Sequence, residues 1–221
     1  MTPTFRLLAL LLVLIPPVAH TQQSALGNWI VYNGNKKINQ SWNLHHEIQY
    51  RNYDAIGDLE QLLVRAGIGY TPEGTDLNFL LGYGYILSEN YAELDDNKTA
   101  LEEHRIYQQL IAKQWWGRVG ATHRYRFEQR WVEGDFRTRF RYQLSVRCPI
   151  GEGLQSGLKP YLSAYNEIFL NTRNNIFDRN RVYGGFGIHV SKAVRVEVGY
   201  MNQRFEVGSR DQINLITFVT F

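Results

Sequence analysis

Arginine recurs at every second position in two neighbouring stretches of this chain. Arg124, Arg126, Glu128 and Arg130 alternate in the first, with Arg118 ahead of them; Arg137, Arg139 and Arg141 alternate in the second, with Arg147 beyond. Residues two apart in an extended chain share a face, so a hairpin over these stretches would stand two ladders of guanidinium side by side. Guanidinium forks grip carboxylates and phosphates with paired hydrogen bonds. Two uses follow. Glu47, Glu60, Glu103, Glu128, Glu167 and Glu197 are available as counter-charges for a salt-bridge network that fills an interior, since buried charge must be paired. Alternatively, the arginines line an anion-preferring passage or a site for a phosphate or carboxylate ligand. The candidate set for either use is Glu47, Arg51, Arg124, Arg126, Glu128, Arg130, Arg137, Arg139, Arg141, Glu167 and Arg181.

Nucleophilic chemistry is less well supplied. His45, His46, His104, His123 and His189 lie outside the first 21 residues, and no Gly-x-Ser-x-Gly element accompanies them. By strand parity His123 faces away from Ser145, while His189 and Ser163 share a face in an unspecified register. A membrane-embedded lipid hydrolase or acyltransferase is therefore the second functional class, and a non-enzymatic protein the first. Cys148 is the only cysteine, which excludes an internal disulfide and a thiolate metal cage. No cofactor or metal is expected. The net charge of +3 gives no reason to expect a nucleic-acid partner.

The elements that must carry the ladders read as β-strands. From Trp42 to Arg51, Trp, Leu, His, Ile and Tyr alternate with Asn, His, Glu, Gln and Arg, a strand with one apolar and one polar face. Similar alternation marks Leu59–Tyr70, Leu77–Leu87, Glu103–Ala112, Arg118–Trp131, Phe136–Arg147, Lys159–Phe169, Arg181–Val190, Val194–Met201 and Ile213–Phe221. Several runs reach the roughly 9–11 residues that a tilted strand needs to cross a bilayer, against about 5–6 for an ordinary soluble strand. Mean hydropathy of −0.35 is compatible with a barrel, in which only alternate residues meet lipid. An arginine on the lipid face would cost about 2–4 kcal/mol at the midplane, so the ladders must face the lumen. The expected fold is all-β: a single antiparallel up-and-down transmembrane barrel, with ten strands favoured and twelve as the fallback. The rival is a soluble secreted β-barrel that binds a small ligand inside.

Connections predict the orientation. Thr71–Asp76, Lys113–Gly117 and Ser191–Ala193 read as short turns, and Asn52–Asp58, Ser88–Glu102, Leu170–Asn180 and Asn202–Gln212 as long loops. Short turns in the periplasm and long loops outside are the outer-membrane pattern. On that count ten strands start and end in the periplasm, leaving Trp29–Asn33 as a short extra strand, cap or plug.

The N-terminal segment reads as an export signal: Arg6, an apolar core from Leu7 to Ile15, Pro16-Pro17, then small residues near Thr21. The domain reading is signal peptide over 1–21, an N-terminal segment over 22–40 and a barrel over 41–221. The terminal Phe221, preceded by Val219, Thr217, Leu215 and Ile213 at alternate positions, resembles the signal read by the barrel-assembly machinery. Trp115, Trp116 and Trp131 suit membrane interfaces. The location implied is the outer membrane of a Gram-negative bacterium, with outer-membrane lipid and the assembly machinery as partners.

Asn28-Trp29, Trp42-x-Leu44 with Tyr50-Arg51, the block His123-Arg124-Tyr125-Arg126-Phe127-Glu128-Gln129-Arg130, the pair Asn166-Glu167, and Arg181 together resemble the family of domain of unknown function 2490 (DUF2490). The resemblance covers about Gly27 to Phe221. It implies an outer-membrane barrel of the kind found in Bacteroidota, and it implies no activity.

Overall fold

A computed structural model describes residues 26–54, 57–92, 95–151, 158–173 and 175–221. The export segment expected over residues 1–21 lies outside them. Eleven strands follow one another: β1 (Gly27–Lys37), β2 (Trp42–Asn52), β3 (Leu59–Tyr70), β4 (Leu77–Ala92), β5 (Asp95–Trp116), β6 (Val119–Val132), β7 (Asp135–Pro149), β8 (Lys159–Asn171), β9 (Phe177–His189), β10 (Val194–Phe205) and β11 (Ser209–Thr220). Each pairs antiparallel with its sequence neighbour, and β1 closes the barrel by pairing in parallel with β11.

The all-β barrel is as expected, but the count is eleven rather than ten or twelve, and the sheet is mixed. The segment Trp29–Asn33 is neither cap nor plug but the middle of β1. Its alternation is obscured by Asn, Gly and Lys at outer and end positions, and the preference for even counts argued against it. In an odd-stranded meander the first and last strands run the same way, so the closing ladder must be parallel. It runs from Gly27 opposite Gln212 to Asn35 opposite Thr220. The backbone of Phe221 finishes it, donating to Asn35 O at 2.9 Å and accepting from Lys37 N at 3.1 Å. The chain therefore enters the barrel at the end opposite to its C-terminus, and the expectation that both ends lie together is overturned.

The predicted contrast in connection length is also absent. Ser88–Glu102 is mostly taken up by β4 and β5, and Asn202–Gln212 is reduced to the three residues between β10 and β11. The longest connection, residues 150–158, lies at the C-terminal end of the barrel. Polar residues prolong the hairpins because a cross-strand ladder satisfies the backbone whether or not the side chains are apolar. Below, the end carrying the β2–β3, β4–β5, β6–β7, β8–β9 and β10–β11 connections is called the loop end, and the other the turn end.

Alternation sorts the side chains cleanly. Outward Leu81 and Val182 are each 55 % exposed, whereas inward Glu128 is fully buried. The interior also holds rings and aliphatics. Trp29, Val31, Tyr183, Met201 and Ile216 form one cluster across the closing seam. Tyr107, Tyr161 and Tyr183 fit because glycines lie beneath them. A Cβ on Gly82 would collide with Tyr107, on Gly187 with Tyr161, and on Gly185 or Gly199 with Tyr183. Besides the glycines, two contacts hold Tyr183: it stacks on Tyr165 at 4.7 Å, and its hydroxyl donates to Glu197 at 2.7 Å.

Gly199→Val should consequently force the Tyr183 ring off its seat and cost about 1–3 kcal/mol, the usual penalty of overpacking. Gly184→Val should cost little, since nothing lies within 4 Å of a Cβ built there. Denaturant unfolding of the two variants measures the difference.

Candidate functional site

The lumen's charge is organised around a few carboxylates, each gripped by arginines from neighbouring strands. Glu128 on β6 faces Arg139 across the β6–β7 pair. Arg139 donates to its Oε2 from Nε at 3.1 Å and Nη2 at 2.7 Å, and Arg141 donates to Oε1 at 2.6 Å. Arg141 also reaches Glu167 on β8, with bonds of 3.0 and 2.7 Å. Glu167 in addition receives Arg124 at 2.8 Å and has Arg181 at 3.8 Å. Arg139 extends the chain of pairs to Asp178 at 2.5 Å, which Arg179 shares. Seven of the proposed site residues (Arg124, Arg126, Glu128, Arg139, Arg141, Glu167 and Arg181) thus form one connected assembly spanning β6 to β9.

Two further pairs stand beside it. Glu103 on β5 accepts forked bonds from both Arg105 and Arg130, the latter at 2.5 and 2.9 Å. Glu47 on β2 accepts from Arg65 at 2.8 Å, with His45 at 3.5 Å. Arg137 does not join: it pairs with Asp135 in the exposed β6–β7 hairpin. Of the remaining counter-charges, Glu60 binds Arg210 at 2.7 Å and Glu197 takes the Tyr183 hydroxyl.

Three arginines rely on amides and rings more than on carboxylates. Arg51 is bound by Gln49 (2.5 and 3.0 Å) and Gln61 (2.7 Å) and lies 3.6 Å over the Trp29 ring. Arg126 is bound by Gln109 at 2.6 and 2.9 Å, lies 4.4 Å over Tyr107, and stands 3.7 Å from Glu128. Arg181 donates to Gln203 at 2.6 Å and lies over both Trp29 and Phe169. Rings stabilise cations in a desolvated site by about 2 kcal/mol or more. Buried Phe169 is surrounded by the guanidiniums of Arg139, Arg141, Arg179 and Arg181, at 4.4–5.9 Å.

Above this assembly, toward the loop end, lies a cavity of about 230 Å³. Its lining includes Phe169, Ser88, Leu101, Val132 and Glu103, together with arginines from six strands. Below it, Leu63, Ile86, Tyr107 and Met201 fill the barrel and are almost wholly buried.

Sequence reasoning missed Arg65, Arg105 and Arg179, although each occupies an inward position on an alternating strand, and Asp178, which lies where the β8–β9 register shifts. It also missed Gln49, Gln61, Gln109 and Gln203, and the ring faces of Trp29 and Phe169. Histidine and serine do not converge where they were considered. His123 bonds Tyr142 at 2.9 Å, Ser145 bonds the Thr122 carbonyl, and His189 packs on Tyr161. Phe221 lies beside His46 at the turn end, 5.9 Å between rings.

Removing a carboxylate from the assembly should be far more damaging than removing a rim pair. Glu128→Gln removes the fully buried charge that two guanidiniums share and should cost about 3–5 kcal/mol. Arg137→Ala should change stability by less than about 1 kcal/mol. Equilibrium unfolding midpoints of the two variants check the contrast.

A search among curated proteins returns no match. The family model described as "Protein of unknown function (DUF2490)" matches residues 26–214, from the edge of β1 into β11. That span takes in every charged pair of the lumen, and the chain belongs to the DUF2490 family.

Proposed function

We propose that this protein is an integral outer-membrane β-barrel of a Gram-negative bacterium whose lumen is closed by its own side chains, so that it acts as a structural or binding element and not as an open pore. The observation that carries the reading is inverted polarity. The outer wall presents Ile30, Ile48, Val64, Ile68, Phe79, Leu81, Leu162, Val182, Val198 and Leu215, all exposed, while glutamate and arginine are buried. A water-soluble protein rarely exposes an apolar belt of this extent, and a soluble ligand-binding barrel would place its apolar side inward. Lipid supplies the missing partner for the wall, and the closed ladder leaves no backbone edge unpaired within it.

The aromatic residues support the same placement. Trp42 and Tyr70 pair at the turn end, 4.9 Å apart, where Trp115 and Trp116 are also exposed; Trp131 and Phe136 pair at the loop end, 5.2 Å apart. Rings at both rims match the girdles of membrane barrels.

A small anion-preferring channel is the second reading, favoured by the arginine-lined cavity. The packing of Leu63, Ile86, Tyr107 and Met201 opposes it. No enzymatic role is proposed: His45, His104 and His123 bond glutamate, tyrosine and glutamine groups, His46 and His189 pack on aromatic rings, and no histidine–serine hydrogen bond occurs among the described residues.

Leu81→Arg and Val182→Arg should each impair folding into phospholipid vesicles by about 2–4 kcal/mol if they sit near the midplane. The gel-mobility difference between unheated and boiled samples reads the folded fraction. A soluble, fully folded protein in the absence of lipid or detergent would overturn the membrane reading. In planar bilayers the purified protein should give no stepwise conductance. Anion-selective steps abolished by Arg139→Glu would establish the channel instead.

A further inference from the structure

We propose that the cavity at the loop end is a binding site for a small phosphate-bearing anion. The cavity lies inside the barrel whatever surrounds its wall, so the proposal does not depend on membrane insertion.

The first argument is charge. Nine arginines line the cavity. Among the described residues, the carboxylates within ion-pair distance of those nine are six: Glu47, Glu103, Glu128, Asp135, Glu167 and Asp178. The wall therefore carries three cations more than its own anions neutralise. Arg124 and Arg126, just outside the lining, share Glu167 and Glu128 and widen the excess. A network whose only task was to fill the barrel would be balanced, since unbalanced buried charge costs stability.

The second argument is how the surplus is held. Arg51 is buried and has no carboxylate within ion-pair distance among the described residues; glutamine oxygens and the Trp29 face position it. Arg181 is fixed through Nε by Gln203 and through its flat face by Trp29 and Phe169, with Glu167 only at 3.8 Å. Amides and rings orient a guanidinium without cancelling its charge. A preorganised cation of this kind is what an oxyanion site requires.

The third argument is shape. The lining arginines converge from β2, β3, β5, β6, β7 and β9 around a space of about 230 Å³. At ~30 Å³ per water, that is room for a phosphate and a small attached group. A monovalent carboxylate would engage one fork and leave the rest of the surplus unmatched, whereas a multivalent phosphate matches forks on several sides. The phosphate could be soluble or belong to a lipid headgroup, so the test separates the two.

Folded protein in detergent is titrated calorimetrically with inorganic pyrophosphate, with dihexanoyl phosphatidic acid below its micellar concentration, and with acetate and chloride as controls. Saturable binding of pyrophosphate is expected, or of the phosphatidic acid alone if the source is a headgroup, with at least tenfold weaker binding of acetate and chloride. Two variants leave every ion pair intact. Arg51→Gln strands no carboxylate, and Leu101→Glu places a negative charge on the lining. Each should weaken binding at least tenfold while the unheated sample keeps the mobility of the folded barrel. The proposal is overturned if neither phosphate probe binds saturably, if acetate or chloride binds as tightly, or if folded Leu101→Glu protein binds as well as the parent.

Discussion

A guanidinium withdrawn from water must find oxygen or an aromatic face, and the interior of this barrel is arranged around that requirement. Glu128 and Glu167 satisfy most of it at the centre, with Arg141 bridging the two. The arrangement is possible because cross-strand register sets inward residues of β6, β7 and β8 side by side: Glu128 opposite Arg139, and Glu167 opposite Gln143. It also forces a conflict, since Arg126 stands directly opposite Arg141. Gln109 and Glu128 relieve that repulsion by drawing Arg126 aside over Tyr107. Electrostatics, more than apolar burial, thus holds the middle of the barrel in register.

Apolar burial does its work at the seam. β1 contributes Trp29 and Val31 to the cluster that also contains Tyr183, Met201 and Ile216. Trp29 also carries Arg51 and Arg181 on its ring. Without β1 both arginines would lose that face and the sheet would have two open edges, which neither lipid nor water-soluble design tolerates well. The parallel ladder is the geometric consequence of adding one strand to ten.

The interior is thereby divided along its axis. Toward the turn end, tyrosines seated over glycines and aliphatic side chains leave little space. Toward the loop end, the arginines outnumber their partners and a cavity opens. The same side-chain chemistry closes one half of the barrel and leaves the other charged.

The period of two was legible in the chain from Trp42 onward, and with it the fold class and the face on which each arginine stands, because strand parity is a local property. The ladder from Arg124 to Arg141 could be assigned to the interior on the cost of charge in an apolar surround alone. The partner of each arginine could not be read in the same way. Whether Arg65 meets Glu47, or Arg181 meets Gln203, depends on register between strands, and a shift by two keeps every parity while exchanging every partner. Loop lengths misled because polar hairpins extend as strands as readily as apolar ones. The eleventh strand stayed hidden because its pairing with β11 joins the two ends of the chain, and no local pattern records which distant edge a strand will meet. Sequence by itself determined that this protein is an all-β barrel with arginine inside. Only the tertiary structure decided that the barrel closes with eleven strands, that most of its charge is paired, and that the surplus gathers around one cavity.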